Sequence, residues 1–326
     1  MMREDTGPTL EGLMTTYVNF CSAFHAHFTV DANARIVMGI DERLGELPDP
    51  SLAGLDATVA SARRLLASIA EIDTAGLSFD DDLDLDLARL ALEREIHDAT
   101  YTFNGRRAIC QKPTAGDDIG DGIFLMFAND PRPAAARLAD ITDRLEAVPG
   151  YLSALQARLD TPVERWVSID REKVEGLPGL LENIENWAMG VDFADLSRLQ
   201  SARTVAEEAA VAYLGWLSEQ PTTPHFHLDG QTARRIVHLR GIGVSLEEIH
   251  GYARRFLAET SETIVTLRDR LVPRYNLPAD TTVEQLHSFL NKKFAVKVAD
   301  GNLNSILDRY QAEREKILAF IKEHDL

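Results

Sequence analysis

Cysteine is scarce in this chain: Cys21 and Cys110 are the only two among 326 residues. Two thiols so far apart do not make the disulfide framework of a small secreted domain. Their apolar neighbours predict reduced, buried side chains. Basic residues are outnumbered, 34 Lys and Arg against 52 Asp and Glu, for a net charge of −18. A surface of that sign repels phosphate backbones and anionic bilayers, so neither nucleic acid nor membrane is expected as a partner. No apolar run approaches the roughly 20 residues that a membrane helix needs. The opening MMREDTGPTL lacks the basic-then-apolar order of a secretory signal, so the expected location is cytoplasmic. H-E-x-x-H, G-x-S-x-G and the P-loop are all missing. What is present is 45% hydrophobic residues at a mean hydropathy of −0.17, enough for a large soluble core.

Those hydrophobic residues recur with a helical period almost throughout. Leu10, Leu13, Tyr17, Phe20, Cys21, Phe24 and Phe28 share one helix face. A connector with helical character, DANARIVMGIDERLGELPDPS, precedes a helix opened by Ser51, and a third runs from the Asp-rich stretch to about Asn104. GRRAICQKPTAGDDIGDG breaks the pattern with glycines and a proline, and IFLMFAND after it reads equally as helix or buried strand. Further helices are predicted over about 133–159, 162–189, 195–217, 230–240, 245–272, 282–296 and 302–323. Pro133 and Pro162 suit first turns, and Ser245 with Glu248 has the form of a capping box. The expected fold is all-α, a multi-helix array of long antiparallel helices with little or no sheet. The loop SEQPTTPHFHLDG divides it into regions 1–220 and 221–326, the second packed on the first as one continuous domain.

Few residues suggest chemistry. Asp80, Asp81 and Asp84 fit D-D-x-x-D, the spacing at which helical terpene synthases hold magnesium. However, an apolar stripe (Leu85, Ala88, Leu92, Ile96, Ala99, Phe103) begins inside that run, which puts the acids in a helix cap and first turns. NDPRPAAARL also lacks the serine and glutamate of a second metal motif. DDIGDGIFLMFA has Asp117, Asp121 and Gly122 of a calcium loop, but Ile119 and Ala128 stand where oxygen ligands belong, leaving a flexible polar turn. RGIGVSL has Gly241 and Gly243 without a third glycine or a preceding strand. Glu93, Glu95 and His97 read as a solvated helix face. The one metal-like cluster is PHFHLDG, where an extended backbone would point His225, His227 and Asp229 to one side. Zinc normally takes three or four ligands, so this is an incomplete site unless folding adds His250 or Glu247.

The order of four segments carries more. DANARIVMGIDERLGELPDPS, LDLARLALEREIHD, PAAARLADITDRLEAVPGYLSALQARL and GIGVSLEEIHGYARRFLAE together resemble the amino-terminal half of the bacterial "domain of unknown function 885" family. That family is one of large helical proteins similar to zinc peptidases. The resemblance implies an H-E-x-x-P-G-H segment in a carboxy-terminal half, its histidines binding zinc and its glutamate activating water. No residue here matches that segment. The expected role is therefore a helical half of a zinc-peptidase-like hydrolase, forming scaffold and part of a substrate cleft without catalytic residues of its own. A stand-alone, non-catalytic helical binding or scaffold protein is the alternative. No cofactor is expected in this chain, since zinc is implied only for the other half. The last helix, with Leu303, Ile306, Leu307, Tyr310, Ile317, Leu318, Phe320 and Ile321, has too wide an apolar band for one buried stripe. It is the expected surface for a carboxy-terminal half or for self-association.

Overall fold

The computed structural model describes residues 10–295 and 304–325. Its helices are α1 (Leu10–Phe28), α2 (Ala32–Met38), α3 (Leu52–Ala70), α4 (Phe79–Thr100), α5 (Gly122–Ala128), α6 (Ala134–Arg158), α7 (Glu164–Glu175), α8 (Leu177–Gly190), α9 (Leu196–Glu219), α10 (Gly230–Leu239), α11 (Leu246–Arg274), α12 (Val283–Phe294) and α13 (Asn304–His324). Among the described residues the one sheet is a two-stranded antiparallel hairpin, β1 (Thr102–Phe103) with β2 (Arg106–Arg107). The architecture is all-α, as the 3.6-residue period requires. The side chains of Leu10 and Leu13, and Leu303 altogether, lie outside the described residues. The chain divides into two compact units, residues 1–243 and 244–326, so the division falls one helix downstream of the 220/221 loop.

In the first unit the helix starts follow from their caps. Ser51 accepts the Gly54 N–H at 3.1 Å and opens α3, and Ser78 opens α4 in a reciprocal box with Asp81. Asp80, Asp81 and Asp82 fill the first turn of α4, where free N–H groups and the helix dipole favour negative charge. α4 stops at Thr100, four residues short of the expected end. Asn104 and Gly105 take positive φ angles of 51° and 74°, the two-residue turn that joins β1 to β2. Phe103, last of the predicted stripe, is therefore buried from a strand. The predicted helix over 162–189 is two helices, broken at Gly176.

The glycine-rich stretch read as a flexible turn is instead a π-helical segment, Gly116–Asp121, that runs directly into the helix α5. Its glycines serve close packing. A Cβ at Gly116 would collide with Lys173 of α7, and one at Gly122 with Asn33 and Arg144. IFLMFAND accordingly supplies a helix as far as Ala128, with Ile123 and Met126 buried and Phe124 exposed.

Three apolar clusters support this unit. The largest joins Leu44 and the π-helical segment to α5, α6, α7, α8 and α9. α6 lies along α9, whose buried face alternates Leu199, Ala202, Ala206, Ala210, Tyr213 and Leu217. Alanines at four-residue spacing allow that close approach. A second cluster packs α1 on α3 and α3 on α4 through Tyr17, Phe20, Ala62, Leu65, Leu85 and Leu92. The third is small, with Phe103, Ala108 and Val163 under the hairpin.

The second unit comprises α11, α12 and α13. Ser245 with Glu248 and Thr282 with Gln285 form capping boxes at α11 and α12. The Arg268 guanidinium donates to the carbonyls of Thr281 at 2.8 Å and Ala279 at 2.6 Å, fastening the α11–α12 connection. Among its described residues the only buried apolar side chains are Val272 and Leu286.

Candidate functional site

The histidine loop of the first unit is built as follows. Backbone hydrogen bonds from Thr223 N to Pro162 O (3.0 Å) and Glu164 N to Thr223 O (2.9 Å) tie the start of the loop to the α6–α7 connection. Asn104 of the hairpin turn donates to His225 O at 3.1 Å. The His225 ring stacks on Phe103, and His227 packs on Phe226. The two imidazole centroids stand 6.1 Å apart at near right angles. Asp229 is the N-cap of α10: one oxygen accepts the N–H groups of Gln231 (2.8 Å) and Thr232 (2.9 Å), and the other the Thr232 hydroxyl (2.7 Å). Those bonds hold the Asp229 carboxyl below the usual range. All three side chains are exposed, and each has a structural engagement. Among the described residues no group of three or more His, Cys, Asp or Glu side chains is placed to hold a metal ion.

The face of α4 that reads as solvated is largely covered. Glu95 is half-buried and meets the buried His27 Nε2 of α1 at 2.5 Å, with burial pushing the Glu95 carboxyl up. Glu93 pairs with Arg235 of α10 at 2.7 Å. The His97 ring packs against Tyr101, and its Nδ1 is buried without a hydrogen-bond partner, so desolvation lowers its pKa. The solvated-face reading therefore fails, because α10 packs against α4 and α1 supplies His27 from the other side.

The most organised polar arrangement lies inside the first unit. On α6, Arg144, Tyr151 and Arg158 stand seven residues apart and are all buried. Arg144 donates to Leu44 O (2.6 Å) and Asn33 Oδ1 (2.5 Å). Arg158 donates to Pro50 O (3.1 Å), Lys112 O (3.0 Å) and Thr114 Oγ1 (3.2 Å). The Tyr151 hydroxyl meets Thr114 Oγ1 at 3.1 Å and donates to Asp118 of the π-helical segment. From α7, Asp170 accepts the Gly116 N–H at 2.8 Å with one oxygen and the Tyr213 hydroxyl at 2.8 Å with the other. Burial raises the Asp118 and Asp170 carboxyls and pulls the Arg144 guanidinium down to about 10. Each bond leads to backbone or to another strut. The network fixes the irregular segments 39–50 and 111–121 against α6 and α7.

In the second unit the notable surface is apolar. α13 exposes Leu307, Tyr310, Ile317, Leu318, Phe320 and Ile321, and α11 exposes Phe256 and Leu257 at 71% and 67%. An open apolar groove runs along α13 beside Tyr310, Ile317 and Leu318.

No curated protein matches this sequence. A solved structure from Shewanella oneidensis, described as "a putative lipoprotein of unknown function", superposes with a TM-score of 0.60 at 14% identity. The likeness covers 97% of this chain and 57% of that one, so the chain spans little more than half the length of that structure. A family model described as "Bacterial protein of unknown function (DUF885)" matches residues 34–326. The chain therefore belongs to the DUF885 family of bacterial proteins.

Proposed function

We propose that this chain is the helical scaffold of a zinc-peptidase-like hydrolase, supplying part of a substrate cleft while another segment carries the zinc chemistry. One observation carries the reading: α11, α12 and α13 have almost no core of their own. Beyond Val272 and Leu286, the large apolar side chains of the described part of this unit are exposed or only half-buried. Contiguous apolar surface beyond a few hundred Å² marks an interaction site in a soluble protein. The occupant is a further helical segment of the same larger architecture. In support, the similar structure devotes 57% of its length to this fold, leaving 100 − 57 = 43% outside it. The zinc-peptidase part rests on the family resemblance alone, and the polar struts of the first unit suit a scaffold rather than a reaction.

Light scattering and a hydrophobic dye test the reading on the purified chain. The chain is expected to bind dye and to self-associate without a fixed stoichiometry, and Leu307→Glu with Ile317→Glu to reduce both. After dialysis it is expected to hold less than stoichiometric zinc. A monodisperse monomer that binds no dye would refute the missing segment and favour the stand-alone scaffold. A discrete dimer abolished by the double variant would make a second copy the occupant. One zinc per chain, lost in His227→Ala, would move the chemistry into this chain.

A further inference from the structure

A pocket of about 270 Å³ opens in the first unit between the end of α4, the segment after β2, and α10. Three cations line it, Arg94, Lys112 and Arg240, against a single carboxylate, Asp98. Tyr101 and Leu239 give it an apolar wall. In a chain of net charge −18, carboxylates are abundant, and the neighbouring cations have found them. Arg235 pairs with Glu93 at 2.7 Å, and Arg107 with Asp56 at 2.9 Å. Arg94 and Arg240 instead make no side-chain hydrogen bond or ion pair with any described residue, and Lys112 reaches Asp117 only at 3.9 Å. Arg240 caps α10, where a cation also complements the helix carbonyls. That accounts for one of the three. It leaves Arg94 in the last two turns of α4, presented into the same concavity.

We infer that this pocket binds a small organic carboxylate carrying an apolar group, of about the size of one N-acylated amino acid. Guanidinium groups match a carboxylate with paired N–H donors, which is why arginine serves where such groups are recognised. The volume is that of about nine water molecules at roughly 30 Å³ each, too large for a bare inorganic ion and small for a folded partner. The Tyr101 ring packs against the His97 ring, with centroids 4.9 Å apart, and lines the pocket as an apolar surface for such a substituent. The site lies wholly within residues 94–240, so it stands or falls independently of anything that docks on α13.

Calorimetric titration with N-acetylphenylalanine, its neutral amide and inorganic phosphate tests the assignment. The carboxylate is expected to bind saturably at one site. The amide, and the carboxylate on Arg94→Ala or Arg240→Ala, are each expected to bind roughly tenfold more weakly, the scale of a lost charge-assisted hydrogen bond. Both arginines are exposed, so the variants are expected to keep their fold, which circular dichroism checks. Absence of saturable binding, equal affinity for the amide, or binding unchanged in both variants would overturn the proposal. Phosphate binding as tightly as the carboxylate would overturn its apolar half.

Discussion

Asp170 offers the sharpest test of the internal struts. Its side chain accepts two buried donors, the Gly116 N–H and the Tyr213 hydroxyl, both at 2.8 Å. Asp170→Ala strands both. Each unsatisfied buried group costs about 1–3 kcal/mol, so the variant should lose about 2–6 kcal/mol. Asp170→Asn keeps the shape. Its amide oxygen can face the Gly116 N–H, while its NH2 donates to a Tyr213 hydroxyl free to rotate, so the loss near neutrality should stay within about 1 kcal/mol. The two also differ in pH dependence. Burial raises the folded Asp170 carboxyl above its ordinary value of 3.8, so ionising it costs more in the folded than in the unfolded chain. That contribution is fully present below the unfolded value and is lost as pH rises through the folded one. Lowering the pH toward 3.8 should therefore stabilise wild type relative to Asp170→Asn. The assay is urea unfolding followed by tryptophan fluorescence, because Trp166, Trp187 and Trp216 all lie in the first unit. An alanine variant that loses less than about 1 kcal/mol, or a wild-type-to-Asn difference that does not move with pH, would refute the reasoning.

Three further substitutions check the local arguments. Gly116→Ala should cost about 1–3 kcal/mol by the same unfolding assay, since the new methyl meets the Lys173 Cβ, which cannot swing away from its own helix. Ser78→Ala should cost about 1 kcal/mol through the lost N-cap, and Asp81→Asn should lower the melting temperature less than Ser78→Ala does. Magnesium-dependent binding of a prenyl diphosphate, abolished in Asp81→Asn, would instead make the aspartates a metal site.

Helix positions were readable because long amphipathic segments repeat their apolar residues with one period. The α4 aspartates were readable for the same reason: the stripe from Leu85 begins inside the acidic run, which places them at the start of the helix. What misled was glycine. Gly116, Gly120 and Gly122 look like loop punctuation, yet at Gly116 and Gly122 the missing Cβ makes room for Lys173, Asn33 and Arg144. Only the tertiary packing reveals that. The polar struts left a faint signal, Arg144, Tyr151 and Arg158 lying on the same face as Leu145, Val148, Leu152 and Leu155. A hydrogen-bonding side chain repeated every seven positions on an apolar stripe is a reason to expect buried partners. The basic pocket had no such signal, since Arg94, Lys112 and Arg240 are remote in sequence and ordinary singly.

The α6–α9 seam has a consequence for how the chain finds its alignment. The middle of the α9 face is smooth, with Ala202, Ala206 and Ala210 presenting nearly equivalent steps along the axis between Leu199 and Tyr213. Apolar contact alone would tolerate α6 sliding by a turn, about 5.4 Å, with modest loss. The two arginines remove that tolerance. Their acceptors, Leu44, Asn33, Pro50 and Lys112 among them, sit at fixed points outside the helix pair, so a one-turn slide would strand both guanidiniums together. Buried charge of this kind adds little net stability in its correct setting and imposes a steep penalty in every other. It works as a ratchet pawl: silent when engaged, it makes the neighbouring notches inaccessible.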